Sequence, residues 1–124
     1  MNSLAKIFKA LADETRLRIM ALILDQGELC VCDCMYILEI SQSKASRHLR
    51  YLANAGLLTN RRATVWVYYN IPEGLDQDHR NIIDSLKGWL TPERESKMVK
   101  RVAKWKQVKK NGRLTCSEGI NNAE

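Results

Sequence analysis

The residues from 41 to 71 constrain the fold most, because their hydrophobic period changes partway along the stretch. The first part, "SQSKASRHLRYLANAG", has apolar residues at helical spacing between a serine cap and a glycine end. The second part, "LLTNRRATVWVYYNI", is rich in β-branched and aromatic residues around a polar, basic centre. This pattern predicts a helix and then two antiparallel strands, at 57–61 and 65–71, with a turn near 62–64.

The segment before this stretch predicts three helices. Apolar residues at helical spacing place the first near the N-terminus, and Asp13 followed by Arg16 predicts the N-cap of the second. Gly27 ends the second helix, since glycine readily takes the left-handed conformation of a helix end. A short third helix begins near Val31 or Cys32. A short helix, a tight turn, a basic helix and a hairpin predict a mainly α (α+β) fold, a winged helix-turn-helix.

Two more helices are predicted after the hairpin. Apolar residues between 75 and 90 predict one of them. Thr91-Pro92 predicts the start of the other, an extra C-terminal helix that continues to about Lys110. Residues 97–110 contain seven lysines and arginines and no acid. These cations form either a solvated outer face or additional contacts to phosphate groups.

Length and hydropathy exclude some classes of protein. A chain of 124 residues suits one domain with its own core. The longest apolar run, residues 19–24, is far too short to cross a bilayer. The N-terminus is amphipathic and carries acids early, unlike a signal peptide. We therefore expect a cytoplasmic protein with no membrane partner.

Positive charge is concentrated around the predicted basic helix and hairpin. The formal net charge is +6, and no acid occurs between Glu39 and Glu73, where five lysines and arginines do. Such a stretch attracts a polyanion, although a solvated basic face is also common. The second helix of a helix-turn-helix can enter the major groove of DNA, where arginine can donate two hydrogen bonds to guanine.

These features predict a site for double-stranded DNA on the helix and on the tip of the hairpin. The candidate residues are Ser43, Lys44, Ser46, Arg47, His48 and Arg50 on the helix, with Arg61 and Arg62 at the predicted tip. The alternative is an exposed helix with ordinary charges. His48 is the weakest member, because a single histidine on such a helix also fits a residue that packs against a neighbour.

The stretch "ELCVCDCM" places cysteines at positions 30, 32 and 34, and Cys116 lies far down the chain. In a reducing compartment, clustered cysteines are more often metal ligands or redox groups than structural disulfides. On a regular helix Cys32 would point about 200° away from Cys30, so binding one ion needs a distorted helix start. That distortion would displace the following helix. Cys34 alone also fits a small buried hydrophobe.

The chemistry of the cysteines favours a soft centre. Three thiolates with no histidine nearby suit trivalent arsenic or antimony, whereas zinc would take a fourth ligand in a closed tetrahedral site. A redox switch is the main alternative, since reactive cysteines at a helix start can be oxidised. Asp33 beside them disfavours thiolates and argues mildly against that alternative.

No enzyme is expected from this sequence. It has no Ser/His/Asp set, no glycine-rich phosphate loop and only two histidines. A metalloid-binding chaperone would use the same cysteines, but it would not need the cations of the basic helix and the hairpin.

Four stretches make the chain resemble the ArsR/SmtB family of arsenic- and metal-responsive winged-helix repressors. They are "FKALADETRLRIMALIL", "GELCVCDC", "SQSKASRHLRYLANAGLL" and "RRATVWVYYNI", and the resemblance covers residues 4–90. It implies a homodimer formed by the first and last core helices. It also implies binding to operator DNA through the basic helix and the wing, and release of that DNA when a ligand binds. The arsenic-responsive members of the family are the most similar.

The resemblance also concerns the cysteine ligands. Arsenic sensors with this motif have the pattern C-V-C-D-x-C, whose third cysteine stands one place later than here. Cys30 and Cys32 match this pattern, whereas Met35 occupies the place of the family's third cysteine. We predict that Cys34 is the third ligand, and Cys116 is its rival.

The other branches of the family fit less well. Cadmium and lead sensors add cysteines from an N-terminal arm, and this chain has none before Cys30. Zinc sensors use an Asp/His cluster on the last core helix. Asp76, Asp78 and His79 are present here, but the downstream histidine is missing. Arsenic(III) or antimony(III) is therefore the expected effector, and a redox- or cadmium/lead-responsive repressor is the alternative.

We expect three parts along the chain. Residues 1–90 form the winged helix-turn-helix domain for DNA binding and dimerisation, 91–110 form the basic C-terminal helix, and 111–124 form a flexible tail.

Overall fold

The computed structural model describes residues 2–110, and these residues form six helices and three strands. The elements are α1 (Asn2–Leu11), α2 (Glu14–Gln26), β1 (Glu28–Cys30), α3 (Val31–Leu38), α4 (Gln42–Asn54), β2 (Thr59–Ala63), β3 (Trp66–Asn70), α5 (Gln77–Asp84) and α6 (Pro92–Lys110). The predicted tail and Cys116 lie outside the described residues.

Local capping chemistry sets the helix ends, largely as predicted. The Asp13 carboxylate accepts a hydrogen bond from the Arg16 amide at 3.0 Å and begins α2. Gly27 ends α2 with a φ of 94°, a conformation that favours glycine. Ser41 begins α4, because its hydroxyl accepts from the Lys44 amide at 3.2 Å. These caps confirm the predicted bounds of α2 and of the basic helix α4.

The core lies between α2, the helix-turn-helix pair α3–α4 and the sheet. Ile19, Leu22, Ile37, Leu49 and Leu52 are all less than 3% exposed and belong to one apolar cluster. This burial is the main favourable contribution to folding. It also packs α3 directly against α4.

The sheet has three antiparallel strands in the order β1-β3-β2, and the sequence analysis predicted only two. β1 is three residues long and pairs Cys30 with Tyr68. A strand so short has too few residues to show an alternating pattern.

The predicted position of the hairpin turn was wrong by about two residues. The strands end at Ala63 and restart at Trp66, so the turn lies at Thr64 and Val65. Thr64 has a φ of 56°, which is unusual for a β-branched residue. The arginines predicted at the tip belong to β2, an edge strand whose solvent-facing residues can be polar.

The last two helices partly follow the prediction. α5 ends at Asp84, although apolar residues continue to position 90, and the chain then turns through Gly88 at a φ of 73°. α6 begins at Pro92 as predicted, but Glu95 interrupts it with non-helical angles of −143° and 58°. The Glu95 carboxylate binds the Arg18 guanidinium of α2 at 2.5 Å, which ties this irregular turn to the core. Among residues 2–110, no helix is long and apolar enough to span a membrane.

Candidate thiol site and nucleic-acid interface

The sulfur atoms of Cys30 and Cys32 lie 2.9 Å apart, and both residues are about 1% exposed. Cys30 is the last residue of β1 and the N-cap of α3, with an extended backbone (φ −95°, ψ 175°). The rotation of about 200° expected on a regular helix therefore does not apply, because the helix starts only after Cys30. Two sulfurs bound to one ion at about 2.3 Å each lie within about 4.6 Å of each other. The 2.9 Å separation lies within this limit, and a regular tetrahedral angle at the ion would need the sulfurs to move apart to about 3.8 Å.

Aromatic side chains pack beside the sulfurs of Cys30 and Cys32. Trp66 and Tyr68, both on β3, pack against Cys30 and Cys32 in a small cluster that is separate from the main core. Burial, helped by the nearby Asp33 carboxylate, raises the pKa of the Cys32 thiol to about 12. Cys32 is therefore a protonated thiol at neutral pH, and any ligand that it binds must remove this proton.

Asp33 connects the segment that carries Cys30 and Cys32 to α6 and is itself only 2% exposed. Its Oδ2 accepts from the Cys30 amide at 2.9 Å, which completes a capping box at the start of α3. Its Oδ1 accepts from the Trp105 indole at 2.9 Å and lies 3.0 Å from the Lys109 ammonium. These contacts were not predicted from the sequence. An acid three residues after the N-cap is the signal for the capping box, but no sequence pattern pointed to the partners on α6.

Cys34 lies apart from Cys30 and Cys32. It is completely buried in the main core, and it is not part of the group formed by Cys30, Cys32 and Asp33, whose ligand atoms lie within 4.8 Å of one another. Burial raises the pKa of the Cys34 thiol strongly. Its position fits the small buried hydrophobe considered in the sequence analysis, and its role as a third ligand stays a prediction.

The predicted DNA-binding side chains of α4 differ in exposure. Ser43, Lys44, Arg47 and Arg50 are exposed, and Ser46 is half-buried. The exposed cations lie on the face opposite the buried Ala45, Leu49 and Leu52, so the helix offers a basic surface to a polyanion.

His48 is 7% exposed and points into the protein. Its Nδ1 lies 3.3 Å from the Arg16 guanidinium of α2. Burial lowers the pKa of His48, while the Asp13 carboxylate opposes that shift. This environment fits the packing role that the sequence analysis left open for His48.

The two arginines of β2 are both exposed and have different surroundings. The Arg61 guanidinium donates to the Glu28 carboxylate at 3.0 Å and lies 4.8 Å from the centre of the Tyr68 ring. This hydrogen bond lowers the pKa of the Glu28 carboxyl group. The charge of Arg61 is therefore partly neutralised by β1, whereas Arg62 makes no comparable contact with an acid of the described residues.

The acids and histidine at the start of α5 form no metal group. In the part of the chain that the structure describes, the one cluster of potential ligand atoms is the set of Cys30, Cys32 and Asp33. Asp76, Asp78 and His79 are not brought together in a comparable way, in line with the missing histidine noted in the sequence.

The fold and the site define a class of protein, a winged helix-turn-helix transcriptional regulator with a buried thiol site. Residues 13–60 match the family described as "Bacterial regulatory protein, arsR family". The Pseudomonas putida "Arsenic resistance transcriptional regulator ArsR1" is 45% identical over 91 residues, which cover 70% of this chain and 71% of that protein. The Escherichia coli "Arsenical resistance operon repressor" is 47% identical over 79 residues, covering 64% and 68%. The chain belongs to the ArsR family.

Solved structures agree with this assignment. The structure of the "AntR antimony-specific transcriptional repressor" is 26% identical with a TM-score of 0.57, and the match covers 68% of this chain and 73% of that one. A "homodimeric winged helix-turn-helix DNA-binding domain" from Mycobacterium bovis is 28% identical with a TM-score of 0.57, covering 68% and 75%. The predicted winged helix-turn-helix is thereby confirmed. The chain is a metal-responsive transcriptional repressor of a family whose members are not enzymes.

Proposed function

We propose that the protein is a homodimeric repressor that binds operator DNA and releases it when trivalent arsenic or antimony binds its thiols. The observation that carries this proposal is the contact between the Cys30 and Cys32 sulfurs, 2.9 Å apart at the start of α3. α3 is the first helix of the helix-turn-helix, so the site lies at the start of the helix that precedes the proposed recognition helix α4. The names of the two arsenic-resistance relatives support arsenic, and the similarity to the antimony-specific repressor AntR supports antimony.

The protonated state of the buried thiol also supports a metalloid. Arsenite in neutral water is As(OH)3. Each thiol that binds arsenic replaces one hydroxide, and the thiol proton leaves with that hydroxide as water. A divalent cation brings no hydroxide of this kind, so the proton must go to the solvent. Since burial raises the pKa of Cys32 to about 12, a divalent ion must itself displace this proton when it binds.

The third ligand in this proposal is Cys34, with Cys116 as its rival. Cys34 lies in the core, so it reaches the pair only if the first turn of α3 unwinds. Unwinding would remove a buried side chain from the contact between α3 and α4 and shift α4 relative to the rest of the domain. Ligand binding would then disfavour the DNA-bound shape, and DNA would disfavour the ligand to the same extent. Cys116 would instead leave α3 intact.

The DNA contacts in this proposal come from α4 and β2. Lys44, Arg47 and Arg50 supply charge and hydrogen-bond donors to the major groove, and Ser43 and Ser46 supply hydroxyls. Arg62 contacts the backbone beside the groove, and Arg61 joins it only if it leaves Glu28. His48 contributes by packing α4 against α2.

Titration of cysteine variants tests the effector and the ligands together. We expect arsenite to bind the reduced wild-type chain and to bind Cys32→Ser far more weakly. Cys34→Ala removes the sulfur without burying a hydroxyl, so it is better suited to this test than a serine variant. Loss of arsenite affinity in Cys34→Ala with retention in Cys116→Ser supports Cys34, and the reverse supports Cys116. Wild-type affinity in Cys32→Ser would contradict the thiol site.

A panel of triggers separates the alternatives. Operator DNA carrying a fluorophore is followed by anisotropy while arsenite, antimonite, cadmium, zinc or peroxide is added. Release by arsenite or antimonite supports the proposal. Release only by cadmium would move the site to divalent metals, and release only by peroxide would indicate oxidation of the adjacent thiols.

A further inference from the structure

Among the described residues, Asp33 is the carboxylate that groups with the Cys30 and Cys32 sulfurs, with ligand atoms within 4.8 Å of one another, yet both of its oxygens are already engaged. Oδ2 holds the Cys30 amide, and Oδ1 is shared by the Trp105 indole and the Lys109 ammonium. Coordinating an ion through Asp33 would break these contacts. It would leave a buried indole N–H without its acceptor and a lysine without its counter-charge.

The contacts to Asp33 belong to a larger attachment of α6 to α3. At the other end of α3, the Arg101 guanidinium donates to the Tyr36 carbonyl at 3.1 Å and lies 3.4 Å from the Glu39 carboxylate. Lys97 lies 3.6 Å from the same carboxylate. Trp105 is 7% exposed and packs in the main core, which fixes its indole next to Asp33. α6 therefore holds both ends of the helix that carries the cysteines.

Two roles for Asp33 have different consequences. As a ligand, it would add a hard oxygen to two sulfurs and so help the site bind a divalent ion such as zinc. As a positioning group, it would fix the turn between β1 and α3, so that Cys30 and Cys32 stay together and the site presents sulfur alone. The occupied oxygens favour the second role.

We propose that Trp105 and Lys109 of α6 keep Asp33 out of the ligand set and use it to position the Cys30–Cys32 pair, which makes the site selective for thiophilic metalloids over zinc. Asp33 is thus a positioning residue, and α6 determines specificity. The claim that a metalloid is the natural effector rests on the proposed function, whereas the exclusion of zinc is independent of it.

The test is a zinc titration of the reduced full-length chain, with arsenite measured in parallel. In Trp105→Phe and in Lys109→Met, Asp33 loses one partner and becomes available to an ion. Changes in the groups that orient metal ligands typically alter affinity by about 10- to 100-fold, and here we expect zinc binding to tighten by at least about tenfold relative to arsenite. Lys104→Met, at an exposed lysine of the same helix, should leave the ratio unchanged.

A double variant identifies the cause of the gain. Adding Asp33→Asn to Lys109→Met should remove the gain in zinc affinity, because the amide is a much poorer metal ligand than the carboxylate. Thermal melting shows whether each variant is folded. If Lys109→Met does not fold, Trp105→Phe replaces it in the double variant.

The proposal is overturned if neither α6 variant changes the zinc-to-arsenite ratio. It is also overturned if the gain survives Asp33→Asn, or if Asp33→Asn alone abolishes zinc binding to the wild-type site. Failure of arsenite to release DNA would overturn the proposed function and leave the zinc result intact.

Discussion

Cys30 belongs to two elements at once, and this position explains the geometry of the site. It pairs with Tyr68 as the end of β1 and serves as the N-cap of α3. An N-cap residue has a non-helical backbone. Its side chain therefore does not follow the helical rotation that would separate Cys32 from Cys30 on a regular helix. The two sulfurs meet because a strand ends where a helix begins.

The buried imidazole of His48 should make the stability of the fold depend on pH. Burial lowers the pKa of His48 in the folded chain below its unfolded value, and the nearby Arg16 acts in the same direction. Its contribution to stability is therefore present above about pH 6.5 and is lost as the pH falls through the lower folded pKa. Urea unfolding between pH 7.5 and about 5 should show this loss, on top of the contribution of carboxyl groups.

The matched control for this prediction is His48→Gln. Glutamine keeps a polar side chain of similar length but does not titrate, so its stability should fall less over the same pH range. Equal slopes for wild type and His48→Gln would show that His48 does not contribute.

At the scale of elements, caps and periodicity were enough to predict α2, α4 and the start of α6. These elements carry strong local signals, namely Asp13, Ser41 and Pro92. β1 was not predicted, because three residues cannot show a period and its partner β3 lies about forty positions later. The hairpin turn was misplaced because the polar, basic centre of the stretch was taken for the turn, whereas Arg61 and Arg62 occupy a solvent-facing edge strand.

The candidate site was predictable only in part, because local spacing does not show contacts between distant parts of the chain. The cysteine spacing pointed to the stretch, and Cys30 and Cys32 lie together. The different location of Cys34 depends on how α3 packs, which the spacing does not contain. The contacts of Asp33 with Trp105 and Lys109 join residues more than seventy positions apart. Only the tertiary fold shows such contacts.

The cations of α6 are expected to contribute little to DNA binding. Lys97, Arg101 and Lys109 lie next to acids of α3 and its C-terminal end, so part of their charge is already balanced within the fold. We expect the exposed Lys100 and Lys104 to form a solvated face. The double variant Lys100→Gln/Lys104→Gln should leave the slope of log affinity for operator DNA against log salt unchanged.

The positive control for that measurement is Lys44→Gln on α4. Loss of a phosphate contact there should reduce the slope by about one. A similar reduction in the α6 variant would instead assign α6 to the DNA interface.

In the whole molecule, α1 carries the candidate surface for the proposed dimer. Phe8 is 54% exposed, although Ile7 and Leu11 of the same helix are buried in the core. A large aromatic side chain on an otherwise solvated face is a typical anchor of an interface. We predict that Phe8→Glu yields a monomer in sedimentation experiments, while Lys6→Glu at an exposed site on α1 does not.

Loss of the dimer should also weaken DNA binding, because the two-fold symmetry of the dimer matches that of a palindromic operator. A dimer binds two half-sites, so the monomeric variant should bind a palindromic operator much more weakly than wild type does. A dimeric Phe8→Glu protein would show that α1 is not the interface. A monomer with full operator affinity would contradict the need for dimerisation.

The most direct test of arsenite-driven DNA release is the anisotropy of operator DNA bound to the reduced protein, before and after arsenite, for wild type and Cys32→Ser. Because the Cys30–Cys32 pair lies at the start of the first helix of the helix-turn-helix, we predict that arsenite releases DNA from wild type. The Cys32→Ser variant should bind DNA equally well and stay bound. The proposed mechanism would be contradicted if arsenite still released DNA from Cys32→Ser. It would also be contradicted if arsenite left DNA bound to the wild-type protein.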